Sequence, residues 1–192
     1  MFIAIEGIDG AGKTTISKML AQKLNYEYTS QKSLSTFMCI PDDQYLDYCR
    51  NYRDAVNADA DSMLMLYSLS CFLSGRKQNV VCDRHLVTVN FWYGNKATLF
   101  VAETIYKLTQ KPDITIILNV TVDTALKRIK KKFKNNAINN FEAKRDLEKA
   151  MKADKFVQSV IPFLQHFNLR YVIIDTDEKS VDEILEEVLL FL

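Results

Sequence analysis

Glycine and proline are scarce, 5 and 3 of 192 residues, which excludes collagen-like and linker-rich architectures. An excess of one charge is lacking too: 25 Lys and Arg meet 24 Asp and Glu, a formal net charge of +1. A near-neutral chain exerts no overall pull on nucleic acid or an anionic membrane, so neither is expected as a partner. No apolar run approaches the ~20 residues that cross a bilayer. The opening Met1-Phe2-Ile3-Ala4-Ile5-Glu6 has no basic segment followed by a cleavage site, and no secretory leader is expected. The four cysteines, Cys39, Cys49, Cys71 and Cys82, form no Cys-x-x-Cys pair and have no His ladder nearby. They read as small buried hydrophobes of a cytoplasmic protein.

What is present is an ordinary folding composition, 48% hydrophobic and 26% charged. At this length one domain over residues 1–192 is the expectation. Apolar runs alternate with helical periodicity. Phe2 to Glu6, Asn79 to Cys82, Ile114 to Val120 and Arg170 to Asp175 read as strands. Lys13 to Leu24 places Ile16, Met19, Leu20 and Leu24 on one helical face, Asp123 to Lys132 continues as a helix, and Val181 to Leu192 closes the chain with another. Near-continuous apolar strands separated by helices indicate a parallel sheet covered on both faces. Ser30 to Asp61 mixes polar residues with short apolar pieces and is expected to form helices and loops over the sheet edge.

Directly after the first strand stands Gly7-Ile8-Asp9-Gly10-Ala11-Gly12-Lys13-Thr14, followed by Thr15, a complete G-x-x-x-x-G-K-[ST] motif. The glycines let successive backbone N–H groups turn around a phosphate, and the helix beginning at Lys13 adds its positive end. Lys13 reaches the β- and γ-phosphates of a nucleoside triphosphate, and the Thr14 hydroxyl is a ligand for Mg²⁺. All nine residues from Gly7 to Thr15 are therefore expected to bind ATP. The strand at Ile114 ends Asn119-Val120-Thr121-Val122-Asp123, without the Asn-Lys-x-Asp that would specify guanine.

Three motifs in order resemble the thymidylate kinases. They are Phe2 to Thr15 with its Glu6-Gly7-Ile8-Asp9, the strand end Asp83-Arg84-His85, and Lys111-Pro112-Asp113 running through Ile114 to Val120 into Ala125-Leu126-Lys127-Arg128. The resemblance covers most of the chain. It implies an α/β fold: a three-layer, doubly wound parallel sheet of the P-loop NTPase, nucleoside monophosphate kinase type, with a lid at about 130–142. It implies transfer of the ATP γ-phosphoryl to the 5′-phosphate of a deoxynucleotide, dTMP to dTDP, by a homodimer. Asp9 would then bind the acceptor's sugar 3′-hydroxyl, Arg84 its phosphate, and Asp83 would help Thr14 to hold Mg²⁺. Lys13, Arg84 and Asp9 are the expected catalytic set.

The departures from the family pattern are specific. Where members carry Arg-Glu-Pro-Gly, this chain reads Tyr28-Thr29-Ser30-Gln31-Lys32-Ser33. Where they carry Phe-x-x-x-Arg, it reads Leu66-Tyr67-Ser68-Leu69-Ser70, which leaves Tyr67 to stack on the acceptor base. The lid holds Lys130, Lys131, Lys132 and Lys134 and no arginine of its own, with Arg128 and Arg145 flanking it. Lysines are point charges without the guanidinium fork. Asn90 and Trp92 are further candidates for the acceptor base, and His85 reads as a packing residue. The missing arginines keep two alternatives open. One is a related kinase acting on a deoxynucleoside or other metabolite, for which Glu6 or Asp9 is the candidate base. The other is a catalytically silent nucleotide-binding module, against which the intact Lys13-Thr14 and Asp83-Arg84 pairs weigh.

Overall fold

A computed structural model describes residues 1–30, 79–93, 96–108, 110–135 and 155–192. Numbered over those residues, the strands are β1 (Phe2–Gly7), β2 (Glu27–Ser30), β3 (Val80–Asp83), β4 (Ile114–Asn119) and β5 (Tyr171–Asp175). The helices are α1 (Lys13–Leu24), α2 (Leu86–Tyr93), α3 (Lys96–Leu108), α4 (Val122–Asn135), α5 (Phe156–His166) and α6 (Val181–Leu189). The five strands form one sheet in the order β2-β3-β1-β4-β5, and every pairing is parallel. All six residues of β1 are buried, so helices cover both faces of the sheet at its centre. Helix α1 packs against α6 and over β3, while α2 packs against α5 and α3 and over β1. This is the expected three-layer α/β architecture.

The core runs the length of the sheet. Ile3, Ile5, Val81, Cys82, Ile116, Ile117 and Ile174 are wholly enclosed between Leu20 and Ile16 of α1, Leu86 of α2 and Leu164 of α5. β-Branched residues fill the central strands because a pleated surface covered on both faces packs them well. Helix α6 begins with a capping box, in which the Ser180 hydroxyl accepts from the Glu183 N–H and the Glu183 carboxylate accepts from the Ser180 N–H at 2.8 Å.

The strands and helices read from periodicity fall within one to three residues of the observed ones, and α4 runs further, to Asn135. Four elements were not read from the sequence, although α5 buries Phe156, Val160, Phe163 and Leu164 at helical spacing. Strand β2 is four residues long and pairs on one side only. Helices α3 and α5 fall outside the sequence reading as well. Helix α2, Leu86-Val87-Thr88-Val89-Asn90-Phe91-Trp92-Tyr93, has the β-branched and aromatic composition that strands favour. Burial of Leu86, Val87 and Thr88 against the core overrides that preference.

Candidate active site

The parallel topology brings the ends of β1 and β3 side by side, with Ile5 of β1 in register with Asp83 of β3. The loop after β1 and the residues after β3 thus open into one crevice at the C-terminal edge of the sheet. The loop needs its glycines. A Cβ at Gly10, where φ is 89°, would stand 2.8 Å from the Ala125 carbonyl oxygen, and one at Gly7 would stand 2.7 Å from the Leu118 carbonyl oxygen. Helix α1 starts after Gly12 with no side chain capping it, so the first-turn N–H groups of α1 are left for an anion.

Lys13 is 5% exposed, and its ammonium donates to the Ile8 carbonyl at 2.6 Å. Burial, with Arg84 close by, pushes its pKa down to about 8, against the pull of Asp9, Asp83 and Glu6. The Thr14 hydroxyl donates to Asp83 Oδ2 at 2.6 Å, and the Tyr28 hydroxyl approaches the same oxygen at 3.3 Å. Asp83 is 5% exposed, and its other oxygen, Oδ1, is buried without a hydrogen-bond partner among the described residues. A buried carboxylate oxygen without a donor, one atom from an aligned hydroxyl, fits a hard divalent cation such as Mg²⁺, which takes oxygen ligands. Among the described residues no three His, Cys, Asp or Glu side chains converge as a cage. Magnesium bound with nucleotide phosphates needs only one or two protein oxygens.

Arg84 follows Asp83 in the left-handed region, φ 72°, a conformation uncommon for a residue with a side chain. Its N–H donates to the Ile5 carbonyl at 3.0 Å, which ties the turn to β1. Its guanidinium pairs with Asp9, whose carboxylate also stands 3.9 Å from the Lys13 ammonium. Burial opposes the arginine's charge, and Asp9 and Asp83 more than offset it, raising its pKa further. Both cations therefore converge on Asp9.

Glu6, the residue before the loop, is fully buried. One carboxylate oxygen accepts from the His85 N–H at 2.9 Å, and the other accepts from the Thr88 N–H at 3.2 Å and from the Thr88 hydroxyl. Both oxygens are occupied at the N-terminus of α2, so Glu6 does not serve as a base. Burial nevertheless pushes its pKa up to about 7. His85 is a packing residue, as expected: it stacks edge-on to Phe2, its Nδ1 faces the Tyr106 hydroxyl at 3.4 Å, and burial lowers its pKa to about 3.

The nine loop residues, Asp83 and Arg84 are thus gathered at one edge. Lys130 and Lys131 lie on α4, exposed, and Lys132 and Lys134 belong to its last turns. The start of the expected lid is therefore helix, and 136–142 lies outside the described residues. Asn90 and Trp92 lie on α2, with Asn90 partly buried; Tyr67 lies outside the described residues. Two contributions were not read from the sequence. Tyr28 reaches Asp83 from β2, at the strand where the family's arginine motif is missing. Arg128 of α4 donates to the Gly10 carbonyl at 3.4 Å and to the Thr176 hydroxyl at 3.1 Å, and also to the Thr176 carbonyl, fastening the phosphate loop to the segment after β5. Its sequence signals were its place at the end of the Ala125-Leu126-Lys127-Arg128 motif and beside the basic run, neither of which shows these contacts.

A parallel sheet with a glycine-built loop, an uncapped helix start and an acidic-basic pair at the next strand end defines a phosphate-loop kinase fold. The sequence model of the thymidylate kinase family matches residues 59–188. The probable thymidylate kinase of Methanocaldococcus jannaschii is 32% identical over 202 residues, covering 100% of this chain and 95% of that protein. The chain belongs to the thymidylate kinase family. Among solved structures, thymidylate kinase from Ehrlichia chaffeensis superposes with a TM-score of 0.64 at 18% identity, covering 100% of this chain and 97% of that one. Deoxyadenosine kinase from M. mycoides superposes with a TM-score of 0.58 at 22% identity and the same coverage. At these identities the structures speak for the fold alone.

Proposed function

We propose that this protein is a nucleoside monophosphate kinase that moves the γ-phosphoryl group of ATP to the 5′-phosphate of a deoxynucleotide, with dTMP as the leading acceptor. Family membership supports phosphoryl transfer onto a nucleoside monophosphate. The observation that carries the choice of acceptor is Arg84, turned by its left-handed backbone into the crevice beside the phosphate loop. A guanidinium there offers an acceptor phosphate two parallel N–H···O bonds.

In the proposed reaction an acceptor phosphate oxygen attacks the γ-phosphorus and ADP leaves. Little covalent chemistry falls to the protein, and positioning with charge neutralisation carries the catalysis. The first-turn N–H groups of α1 and Lys13 hold the triphosphate. Thr14 and Asp83 would hold Mg²⁺, which when bound supplies charge neutralisation at the β- and γ-phosphates. Arg84 holds the acceptor phosphate, and Asp9 keeps the guanidinium in place while facing the acceptor's sugar. The acceptor is already an anionic nucleophile, so the reaction asks for no general base. Lys130, Lys131, Lys132 and Lys134 add positive charge as the lid closes, Tyr67, Asn90 and Trp92 contact the base, and the chain works as a single-domain, cytoplasmic homodimer.

The test is ADP release from ATP and Mg²⁺ over dTMP, dUMP, dCMP, dAMP and the parent nucleosides. Turnover of a monophosphate, with dTMP preferred, is the expected result. Preference for a nucleoside would instead favour a related kinase with a hydroxyl acceptor.

A further inference from the structure

Glu6 is a buried carboxylate that the proposed reaction does not use, and it reaches the site by a separate route. It leaves β1 two residues after Ala4, in the wholly enclosed centre of the sheet, and spends both oxygens on three donors of the segment that follows Arg84. On its other side Arg84 is fixed by Asp83, whose place in β3 is set by the pairing with Ile5. The strained residue is thus clamped between a strand end and a helix start, and both clamps are anchored in β1. Helix α2 has a strand-like composition, so its first turn depends on this carboxylate to satisfy the N–H groups that no earlier turn can reach.

We propose that Glu6 is a positioning residue for Arg84: by capping α2 at His85 and Thr88 it holds the Arg84 backbone in the left-handed turn that aims the guanidinium at the acceptor phosphate. The inference rests on the monophosphate kinase reading above. It assigns Glu6 no contact with either nucleotide.

The neighbours of the carboxylate are consistent with this role. Lys13 from α1, Arg84 from the turn and Tyr106 from α3 are the ionisable groups that act on it, and the His85 ring stays neutral because burial lowers its pKa to about 3. Burial raises the Glu6 pKa to about 7, so the charged, three-donor form is present above neutrality and is lost below it. The clamp weakens as pH falls through that value, because a protonated carboxyl sets an O–H donor against the three donors it faces.

The test measures steady-state constants for ATP and for the best monophosphate in wild type, Glu6→Gln and Thr88→Val. Gln keeps the size and sets an NH₂ against backbone donors. Val keeps the shape of Thr88 and removes one donor. Both variants should show acceptor kcat/KM reduced by about 10- to 100-fold, the scale of a misplacement near 1 Å, with the KM for ATP unchanged. Glu6→Gln should unfold at pH 8 no earlier than wild type, since it removes a buried charge. The rise of acceptor kcat/KM with pH should move to higher pH in Thr88→Val, which loses a bond to the charged form, and its Glu6 component should vanish in Glu6→Gln. The acceptor phosphate, with a second pKa near 6, contributes the same limb to each profile. An active wild type whose acceptor constants are unmoved in both variants overturns this inference alone, as does an activity loss matched by loss of stability in both. A wild type that turns over no monophosphate overturns the kinase reading and this inference with it.

Discussion

The Thr14 hydroxyl donates to Asp83 Oδ2 at 2.6 Å, while Asp83 Oδ1, buried beside it, meets no donor among the described residues. The hydroxyl comes from the first turn of α1 and the carboxylate from the end of β3, and the sheet holds the two in line. Such an arrangement suits a cation that keeps several waters and asks for few protein oxygens. Asp83→Asn retains an oxygen for the Thr14 hydroxyl and removes the charge. The Mg²⁺ concentration giving half-maximal rate should then rise by about tenfold or more, the scale set by losing one bond to a charged group. A titration of rate against Mg²⁺ checks this, and an unchanged midpoint would remove Asp83 from the metal site.

Lys13 is the second test. With its ammonium replaced in Lys13→Ala, turnover should fall by ~10³ or more, the scale seen for a cation at the transferring phosphate, while the fold persists. The lysine's pKa of about 8 adds a pH signature. Above that value the free enzyme carries a neutral amine, and bound triphosphate draws a proton back. The KM for ATP should therefore climb above pH 8, and calorimetry in buffers of different ionisation enthalpy should register proton uptake on ATP binding. Absence of uptake at pH 9 would contradict the assignment.

Stability should depend on pH through Glu6. Its folded pKa, about 7, lies above the ordinary 4.5, so the fold favours the neutral form. That contribution is complete below about 4.5 and is lost as pH rises through about 7, by roughly 3 kcal/mol at the rate of ~1.36 kcal/mol per pKa unit. Glu6→Gln does not titrate. Urea unfolding of both proteins at pH 5 and pH 8 should show the variant gaining on wild type by that order, and a difference independent of pH would contradict a buried, titrating Glu6.

The basic run at the end of α4 gives a fourth expectation. Replacing Lys130, Lys131, Lys132 and Lys134 together with Gln should lower kcat more than it weakens ATP binding, because charge supplied on closure acts in the transition state. Unchanged kcat would make the run a solvated helix face.

What could be read from sequence was what local pattern encodes. The phosphate loop is contiguous, its spacing is chemical, and it sits between an apolar strand and an amphipathic helix, so Gly7 to Thr15 were legible together. Asp83 and Arg84 were legible because a charged pair closing an apolar strand lies at the sheet's C-terminal edge. The Asp9–Arg84 pair, Tyr28 on Asp83 and Arg128 on Gly10 join residues 75, 55 and 118 positions apart, and no local period records such contacts. Helix α2 shows the limit most clearly. Its residues prefer strands, and packing on β1, α3 and α5, with a β1 carboxylate at its first turn, holds them helical. Glu6 read as a candidate base because its partners, two backbone N–H groups and the Thr88 hydroxyl, lie about eighty positions away.

The central claim is that the acceptor carries a phosphate and that Arg84 grips it. Arg84→Lys keeps the charge and loses the fork. The decisive measurement is the KM and kcat of this variant for dTMP and for thymidine, each at saturating ATP. The account predicts a wild type that prefers dTMP, and a variant whose kcat/KM for dTMP falls by about 1.5–3 kcal/mol, the range for a bond to a charged group, with the KM for ATP spared. A wild-type preference for thymidine, with an acceptor KM indifferent to Arg84→Lys, would contradict it.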